Sequence, residues 1–281
     1  FRFIPHWRLD DLMVSFATPG GGVGPHIDLY DVFICQGSGK RSWRVGNKGQ
    51  HREFSAHAAL LHVDPFEAII DVELNPGDIL YIPPGFPHEG ITLETSLSFS
   101  VGFRTNSTVS LVSGFADHLI DHEQANELIE DPNRARCQES GAIVYDDFLL
   151  IKEQLSNVID NDDTFRQFVG CFLTQAKHEL DLLAGDEPYS NQDIEAALSE
   201  ANLQRLGGLR AFYFPETINL GFCYIDGQQV NFLEEIAPII KLLCDNVIVS
   251  QVVLNIWKNN EKFIDFIKTQ LDIGYWYFSS E

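Results

Sequence analysis

The first 106 residues are broken into short segments that are rich in β-branched and aromatic residues. Glycine, proline and asparagine separate them, as at 19–22, 37–39 and 75–77. Many short strands between turn signals are typical of a β-sandwich or a barrel. We therefore predict a β domain over residues 1–106, with strands at 12–16, 32–35, 42–45, 68–72 and 98–101.

After Asn106 the apolar residues follow the helical repeat instead of alternating. Three such stretches predict a helical domain over residues 107–186, with apolar faces at 112–120, 148–158 and 165–180. Residues 187–281 mix types and predict a winged-helix arrangement. A capping pattern at 190–193 precedes a helix, and strands are predicted at 209–214, 220–225 and 230–232, the last two joined across Asp226-Gly227. Helices at 233–244 and 261–271 and an aromatic run at 275–278 complete this segment. The fold class is α+β.

Composition excludes several classes of function. The formal charge of -22 repels nucleic acid, and residues 187–281 hold six basic and thirteen acidic residues, which argues against a DNA-binding winged helix. No apolar run reaches the roughly 18 residues that span a bilayer. The five cysteines (Cys35, Cys137, Cys171, Cys223 and Cys244) have no Cys-x-x-Cys spacing, which predicts reduced thiols in a cytoplasmic protein. Because the chain starts at Phe1, we expect part of its natural N-terminus to be missing.

Three residues of the β domain form a candidate metal site. His26 and Asp28 are two apart, so in one strand they share a face. His88 follows 62 residues later, far enough for the chain to return around a barrel. It ends the run 75–88, which predicts a turn, a short buried strand and a rigid Pro-Pro-Gly-Phe-Pro loop, with the histidine opening the next strand. Two imidazoles and one carboxylate hold Fe(II) and leave three positions open.

The other histidines lack such a constellation. His51, His57 and His62 fall in the polar stretch 46–64, which we interpret as a loop with surface histidines. The Gly-rich run 20–24 before His26 allows backbone to approach the site closely. Cupins of other reaction types, such as isomerases or small-molecule dioxygenases, usually offer His-x-His with a glutamate, so His-x-Asp favours an oxygenase.

Several motifs resemble the Jumonji-C family of Fe(II)/2-oxoglutarate oxygenases, and within it the bacterial ribosomal oxygenases. The resemblance is carried by Gly24-Pro25-His26-Ile27-Asp28, by the runs 30–33 and 76–90, and by 102–104, 113–117, 205–210 and 274–278. It covers nearly the whole chain. It implies a cupin-like double-stranded β-helix over 1–106, a helical dimerisation domain over 107–186 and a C-terminal winged-helix domain over 187–281, in a homodimer.

The resemblance also implies roles for particular residues. His26, Asp28 and His88 would hold Fe(II), with 2-oxoglutarate and O2 as cosubstrates. The family places a basic residue on the strand after the His-x-Asp strand for the distal carboxylate of 2-oxoglutarate, and this assigns Arg41, with Ser15 as the accompanying hydroxyl. Lys40 and Arg44 are the alternatives. Ser96 and Ser98 follow His88 on the next strand and are candidates to face the cavity.

The implied activity is hydroxylation of an arginine in a basic protein of the large ribosomal subunit, without direct nucleic acid binding. The acidic surface suits such a substrate, although Tyr30, Asp31 and Glu89 remain undecided as contacts to it. Hydroxylation of another residue (His or Asn) and demethylation stay open, because the three metal ligands do not encode the target. An alternative of a different class is a metal-binding cupin sensor with a winged-helix regulatory module.

Overall fold

The structure is a computed structural model. It describes residues 1–57, 60–132, 134, 136, 138–182 and 187–279, with the backbone alone at 53–57 and 60. Cys137 therefore lies outside the described residues, as does the side chain of His57. The chain divides into two compact units, Phe1–Ser107 and Thr108–Glu281.

Within its described residues, the first unit has ten strands after a 3-10 turn at His6–Arg8. The strands are β1 (Leu9–Ala17), β2 (His26–Ile27), β3 (Asp31–Ser38), β4 (Arg41–Gly46), β5 (Glu53–His57), β6 (Leu60–Val63), β7 (Ala68–Leu74), β8 (Ile79–Ile82), β9 (Pro87–Thr92) and β10 (Ser96–Phe103). All five strands predicted from the sequence are confirmed, within β1, β3, β4, β7 and β10.

These strands form two antiparallel sheets. One has the order β1-β10-β3-β8 and the other the order β5-β6-β2-β9-β4-β7. In the larger sheet His26 lies directly opposite His88, because β2 pairs with β9. Two histidines distant in sequence therefore become cross-strand neighbours.

The interpretation of 46–64 as a loop is wrong. Two strands, β5 and β6, lie within it and extend the larger sheet beyond β2. Their pattern is weak because β5 is the edge strand of this sheet and β6 has only four residues. The run 79–82 is not fully buried as predicted: Ile82 is buried, but Ile79 and Tyr81 are exposed, since strand side chains alternate between faces.

Apolar side chains from both sheets form the core of this unit. Val32, Ile34 and Ile82 come from the four-stranded sheet, while Trp43, Val45 and Leu74 come from the six-stranded sheet. Inward residues of β4 alternate with outward ones, as the pleat requires. This alternation places Arg41 and Trp43 on the same inner face.

The described residues of the second unit form seven helices and six short strands. The helices are α1 (Thr108–Asp121), α2 (Tyr145–Ile159), α3 (Asp162–Thr174), α4 (Asn191–Glu200), α5 (Ala237–Asp245), α6 (Gln251–Trp257) and α7 (Glu261–Ile273). The strands are β11 (Asn202–Arg205), β12 (Ala211–Phe212), β13 (Phe222–Ile225), β14 (Gln228–Asn231), β15 (Ile248–Val249) and β16 (Trp276–Ser279), with 3-10 turns at Ile218–Leu220 and Glu234–Ile236. They form two three-stranded sheets, β15-β11-β16 and β12-β13-β14.

Most of the predicted elements of the second unit are present. Ser190 and Asp193 form the expected capping box, and β13 and β14 are joined across Asp226-Gly227. The third apolar helix ends earlier than its pattern, at Thr174, because the backbone turns to an extended conformation at Gln175. The hydroxyl of Thr174 then accepts the backbone N–H of Gly227, which ties this end to the hairpin.

Several helices and strands of the second unit begin or end at residues other than those predicted from the sequence. The strands expected at 209–214 and 220–225 shrink to β12 and β13, and the helix expected from 233 begins with a 3-10 turn before α5. The elements β11, β15 and α6 were not predicted, because two to seven residues are too few to show a period. One large core joins the elements from α4 to β16.

The boundary between the two compact units lies between Ser107 and Thr108, one residue beyond the end predicted for the β domain. Within the second unit, the helix α3 packs on β13 and β14, so the helical segment and the mixed segment are in contact. The division of residues 107–281 into a helical and a winged-helix domain stays a prediction. No described helix has the length and apolar character that a bilayer crossing requires.

Candidate metal centre

The structure brings His26, Asp28 and His88 together. One candidate ligand atom from each residue lies within 4.8 Å of the other two, and no other group of three such residues is found in the described part of the chain. The rings of His26 and His88 have centroids 4.2 Å apart, and His88 Nε2 lies 3.5 Å from Asp28 Oδ2. Three donors at this separation can converge on one ion.

Backbone carbonyls orient both imidazoles in the same way. His26 Nδ1 donates to the carbonyl of Gly24 at 2.9 Å, and His88 Nδ1 donates to that of Phe86 at 3.0 Å. A proton fixed on Nδ1 leaves the lone pair of Nε2 for a metal, which is the usual arrangement around metal-bound histidines. The tight loops before each histidine thus select the ligating tautomer.

Burial and charge favour the ligating protonation states. The pKa of His26 lies below 6.5 because burial disfavours the imidazolium and His88 lies close by. Burial acts to raise the pKa of Asp28, but the nearby imidazoles of His88 and His26 outweigh it, so the pKa is lowered. A neutral imidazole beside a carboxylate is what a divalent metal needs.

Arg41 lies in the same cavity and is 6% exposed. Its guanidinium donates to three hydroxyls: Nε to Thr92 at 3.0 Å, Nη1 to Ser98 at 2.8 Å and Nη2 to Ser15 at 3.2 Å. No ion pair joins it to a carboxylate of the described residues, and burial lowers its pKa. A buried guanidinium held only by hydroxyls suits an incoming anion.

The cavity has a volume of about 410 Å³. Besides the metal-ligand candidates and Arg41, its wall includes Asp11, Met13, Ser15, Val23, Tyr30, Trp43 and Ser100. Gly22, in the loop before His26, packs so tightly on strand β9 that an added Cβ would lie 2.4 Å from the carbonyl of Gly90. The glycine-rich run therefore allows the close backbone approach that the sequence predicted.

The structure changes some details of the predicted site. Asp28 follows β2 instead of lying within it, since that strand ends at Ile27. Arg41 opens β4, which is the second strand after the histidine and not the next one, because β3 intervenes. Ser15 and Ser98 both contact Arg41, whereas Lys40 and Arg44 pair with the exposed carboxylates of the sheet surface.

His62 is not the surface residue that was expected. It is half-buried on β6, directly opposite His26, and its Nε2 donates to the carbonyl of Val23 at 3.0 Å. It therefore holds the loop that leads into the candidate site. Sequence analysis missed it because β6 itself was missed.

Two further residues at the site were not identified from the sequence. Thr92 binds Arg41 and follows His88 by four residues on β9, so strand parity could have indicated it. Asp11 lies four residues before Ser15 on β1, an even spacing, and both residues line the cavity. Asp31 accepts a hydrogen bond from Arg8 at 2.8 Å.

The fold and the three converging donors define a class, the cupin-like metal oxygenases with two histidines and one carboxylate. Comparisons with known proteins narrow this class. Residues 1–111 match the JmjC domain family, and residues 157–277 match the ROXA-like winged helix family. These matches confirm the predicted fold class of a JmjC barrel followed by a winged helix.

Whole-chain relatives agree with both matches. The chain is 41% identical over 279 residues to the ribosomal protein uL16 3-hydroxylase of Escherichia coli, covering 99% of this chain and 73% of that protein. It is 31% identical over 260 residues to a probable ribosomal oxygenase of Haemophilus influenzae, covering 87% of this chain and 63% of that protein. A structure of the E. coli ribosomal oxygenase YcfD in complex with cobalt and 2-oxoglutarate superposes with a TM-score of 0.87 at 40% identity, covering 99% of this chain and 72% of that one. The chain belongs to the JmjC-domain ribosomal oxygenases.

Proposed function

We propose that this protein is an Fe(II)- and 2-oxoglutarate-dependent hydroxylase that acts on an arginine of a large-subunit ribosomal protein. The observation that carries the proposal is one cavity that holds both a His-Asp-His cluster and a buried guanidinium without a carboxylate partner among the described residues. Two ends of one small dicarboxylate, its 2-oxo acid end and its distal carboxylate, match these two features.

The donor set fits the metal. His26, Asp28 and His88 would hold Fe(II) and leave positions for the 2-oxo acid end and for O2. Bound iron supplies the oxidative chemistry that couples decarboxylation of 2-oxoglutarate to hydroxylation of a C–H bond. The protein's own task is to hold the cosubstrate, the target carbon and the metal in one geometry and to exclude bulk water.

Arg41 and its three hydroxyl neighbours would bind the distal carboxylate. A guanidinium has five N–H donors, and three of them already serve Ser15, Thr92 and Ser98. The two remaining donors can serve the two oxygens of one carboxylate, which fixes the cosubstrate along the cavity.

Asp11 is the best candidate contact for a cationic substrate side chain. Its carboxylate lines the cavity, while burial and the nearby charges of Asp28 and Asp11 raise the pKa of Tyr30 to about 12, so that this phenol stays neutral. A carboxylate beside a neutral aromatic ring suits a guanidinium. Glu89 lies 3.8 Å from Arg44 and is already engaged on the surface.

The identity of the substrate protein is supported by the relatives and by charge. The E. coli relative is named for hydroxylation of ribosomal protein uL16. The formal charge of -22 favours a basic partner and disfavours direct nucleic acid contacts. We propose the cytoplasm as its location, because its substrate would be a ribosomal protein.

Mass analysis of ribosomal proteins tests this function. After incubation of large-subunit proteins with the enzyme, Fe(II) and 2-oxoglutarate, one protein should gain a single oxygen, and fragmentation should locate it on an arginine. His26→Ala should abolish the gain while the protein stays folded. A gain on histidine or asparagine, or none on any ribosomal protein, would overturn the substrate assignment.

We further propose that the protein is a homodimer through its helical segment. Helix α2 has no buried residue, and Phe148, Ile151 and Leu155 on one of its faces are 53%, 49% and 65% exposed. An amphipathic helix is stable in water when its apolar face is covered, and a second copy of α2 would do so. Leu155→Glu should convert the dimer to monomer in light scattering, whereas Lys152→Gln, with the same change of charge, should not.

A further inference from the structure

An indole separates the two functional ends of the cavity. Trp43 lies two residues after Arg41 on the inner face of β4 and directly opposite Gly90 of β9, and it is 5% exposed. Its ring centroid is 6.2 Å from that of His88, and the Arg41 Cζ atom lies 5.8 Å from it. The indole therefore borders both the metal-ligand cluster and the guanidinium.

Strand β9 has no side chain at the point where this indole lies. A Cβ added to Gly90 would come within 2.7 Å of Trp43 Cζ2 and 2.9 Å of Cε2. Between His88 and Thr92 the inner surface of the sheet is therefore the Trp43 ring packed on the backbone of Gly90. A cosubstrate that extends from the metal to Arg41 has to pass over this ring.

The indole N–H of Trp43 has no acceptor among the described residues. Trp43 Nε1 is buried and makes no hydrogen bond within the part of the chain that the structure describes. Buried polar atoms in folded proteins are usually paired, and Trp43 lines the cavity, so a ligand in the cavity can supply the acceptor. An acceptor group of that ligand is the missing partner.

We propose that Trp43 is a cosubstrate-binding residue whose Nε1–H donates to the distal carboxylate of 2-oxoglutarate while its ring supports the methylene chain. A carboxylate has about four acceptor sites, and the two spare N–H donors of Arg41 occupy only two of them. Arg41 is also the inward neighbour of Trp43 on the same strand. The inference rests on the proposed function, because it requires 2-oxoglutarate in this cavity.

The test compares two ligands on the full chain loaded with Mn(II), which binds at iron sites without supporting turnover. Each ligand displaces water from the bound Mn(II), and the change in the relaxation rate of the water protons gives its Kd. The two ligands are 2-oxoglutarate and 2-oxobutanoate, which lacks the distal carboxylate. Trp43→Phe should raise Kd for 2-oxoglutarate about tenfold or more, as expected for a hydrogen bond to a charged group, and leave 2-oxobutanoate within about twofold.

A matched control lies in the second unit. Trp276 is 2% exposed and its Nε1 is also unpaired within the described residues. Trp276→Phe removes the same group from a buried site and should change neither Kd. If Trp43→Phe does not fold, replacement of Trp43 by benzothienylalanine keeps the ring and removes only the N–H, and it should reproduce the tenfold loss.

The outcomes separate this inference from the proposed function. An equal loss for both ligands, or no loss for 2-oxoglutarate, overturns the role of Trp43 and leaves the function standing. Failure of the unsubstituted protein to bind 2-oxoglutarate overturns the function itself.

Discussion

Replacing Arg41 by methionine should separate cosubstrate binding from stability. Methionine keeps an unbranched apolar stem but is shorter than arginine and has no hydrogen-bond donor. In the cosubstrate complex, this leaves the distal carboxylate of 2-oxoglutarate buried without its cationic partner. Truncating one partner of a buried charge pair costs about 2–5 kcal/mol, so a loss near 4 kcal/mol raises KM for 2-oxoglutarate about a thousandfold.

The same change should not destabilise the protein without its cosubstrate. Arg41 is 6% exposed and no ion pair joins it to a described carboxylate, so the folded protein bears the cost of a buried cation. Removing that charge offsets the loss of the three bonds to hydroxyls. We expect the free energy of unfolding to stay within about 1 kcal/mol or to rise.

Two assays and one control decide the matter. Decarboxylation of 2-oxoglutarate gives KM, and urea denaturation gives the free energy of unfolding. Arg44→Met is the control, because Arg44 lies on the same strand but faces outward, 3.9 Å from Asp71 and 3.8 Å from Glu89. Its KM should be unchanged. A rise below about fivefold for Arg41→Met would refute the assignment of the distal carboxylate to this guanidinium.

Three further changes have defined outcomes. Gly90→Ala places a Cβ 2.7 Å from the ring of Trp43 and should lower the free energy of unfolding in urea by about 1–3 kcal/mol; an unchanged value would contradict that packing. Burial and the neighbouring His122 lower the pKa of His118, so the unfolded state binds more protons than the folded state below pH 6.5. The Tm of the protein should therefore fall as the pH is lowered from 7 to 5.5. In His118→Leu this fall in Tm should be smaller. Asp11→Asn should raise KM for a substrate peptide at least tenfold while leaving KM for 2-oxoglutarate unchanged, and a reversed pattern would place Asp11 at the cosubstrate.

The sequence predicted the elements whose pattern is local. Short stretches of β-branched and aromatic residues between turn signals marked five strands, and the helical period marked α1, α2 and α3, because both signals lie within a few neighbouring residues. The metal-ligand candidates were also predicted from the sequence, since His26 and Asp28 are two residues apart and the run 75–88 has a distinctive turn and loop chemistry.

Other features could not be predicted, because they depend on strands that meet only in the folded protein. The strands β5 and β6 are too short to show a pattern, so His62 was not recognised beside His26. The wall formed by Trp43 over Gly90 depends on the register between β4 and β9. No residue next to Trp43 or Gly90 in the sequence indicates that these two residues are in contact.

The sequence by itself therefore determined the donor types, two imidazoles and one carboxylate, and the barrel that could bring them together. Tertiary structure decided how Arg41 is held, by Ser15, Thr92 and Ser98 from three strands, and that it has no ion pair with a described carboxylate. The physical reason is that ligand identity is a property of single side chains, whereas burial and the matching of donors to acceptors belong to the packed sheets.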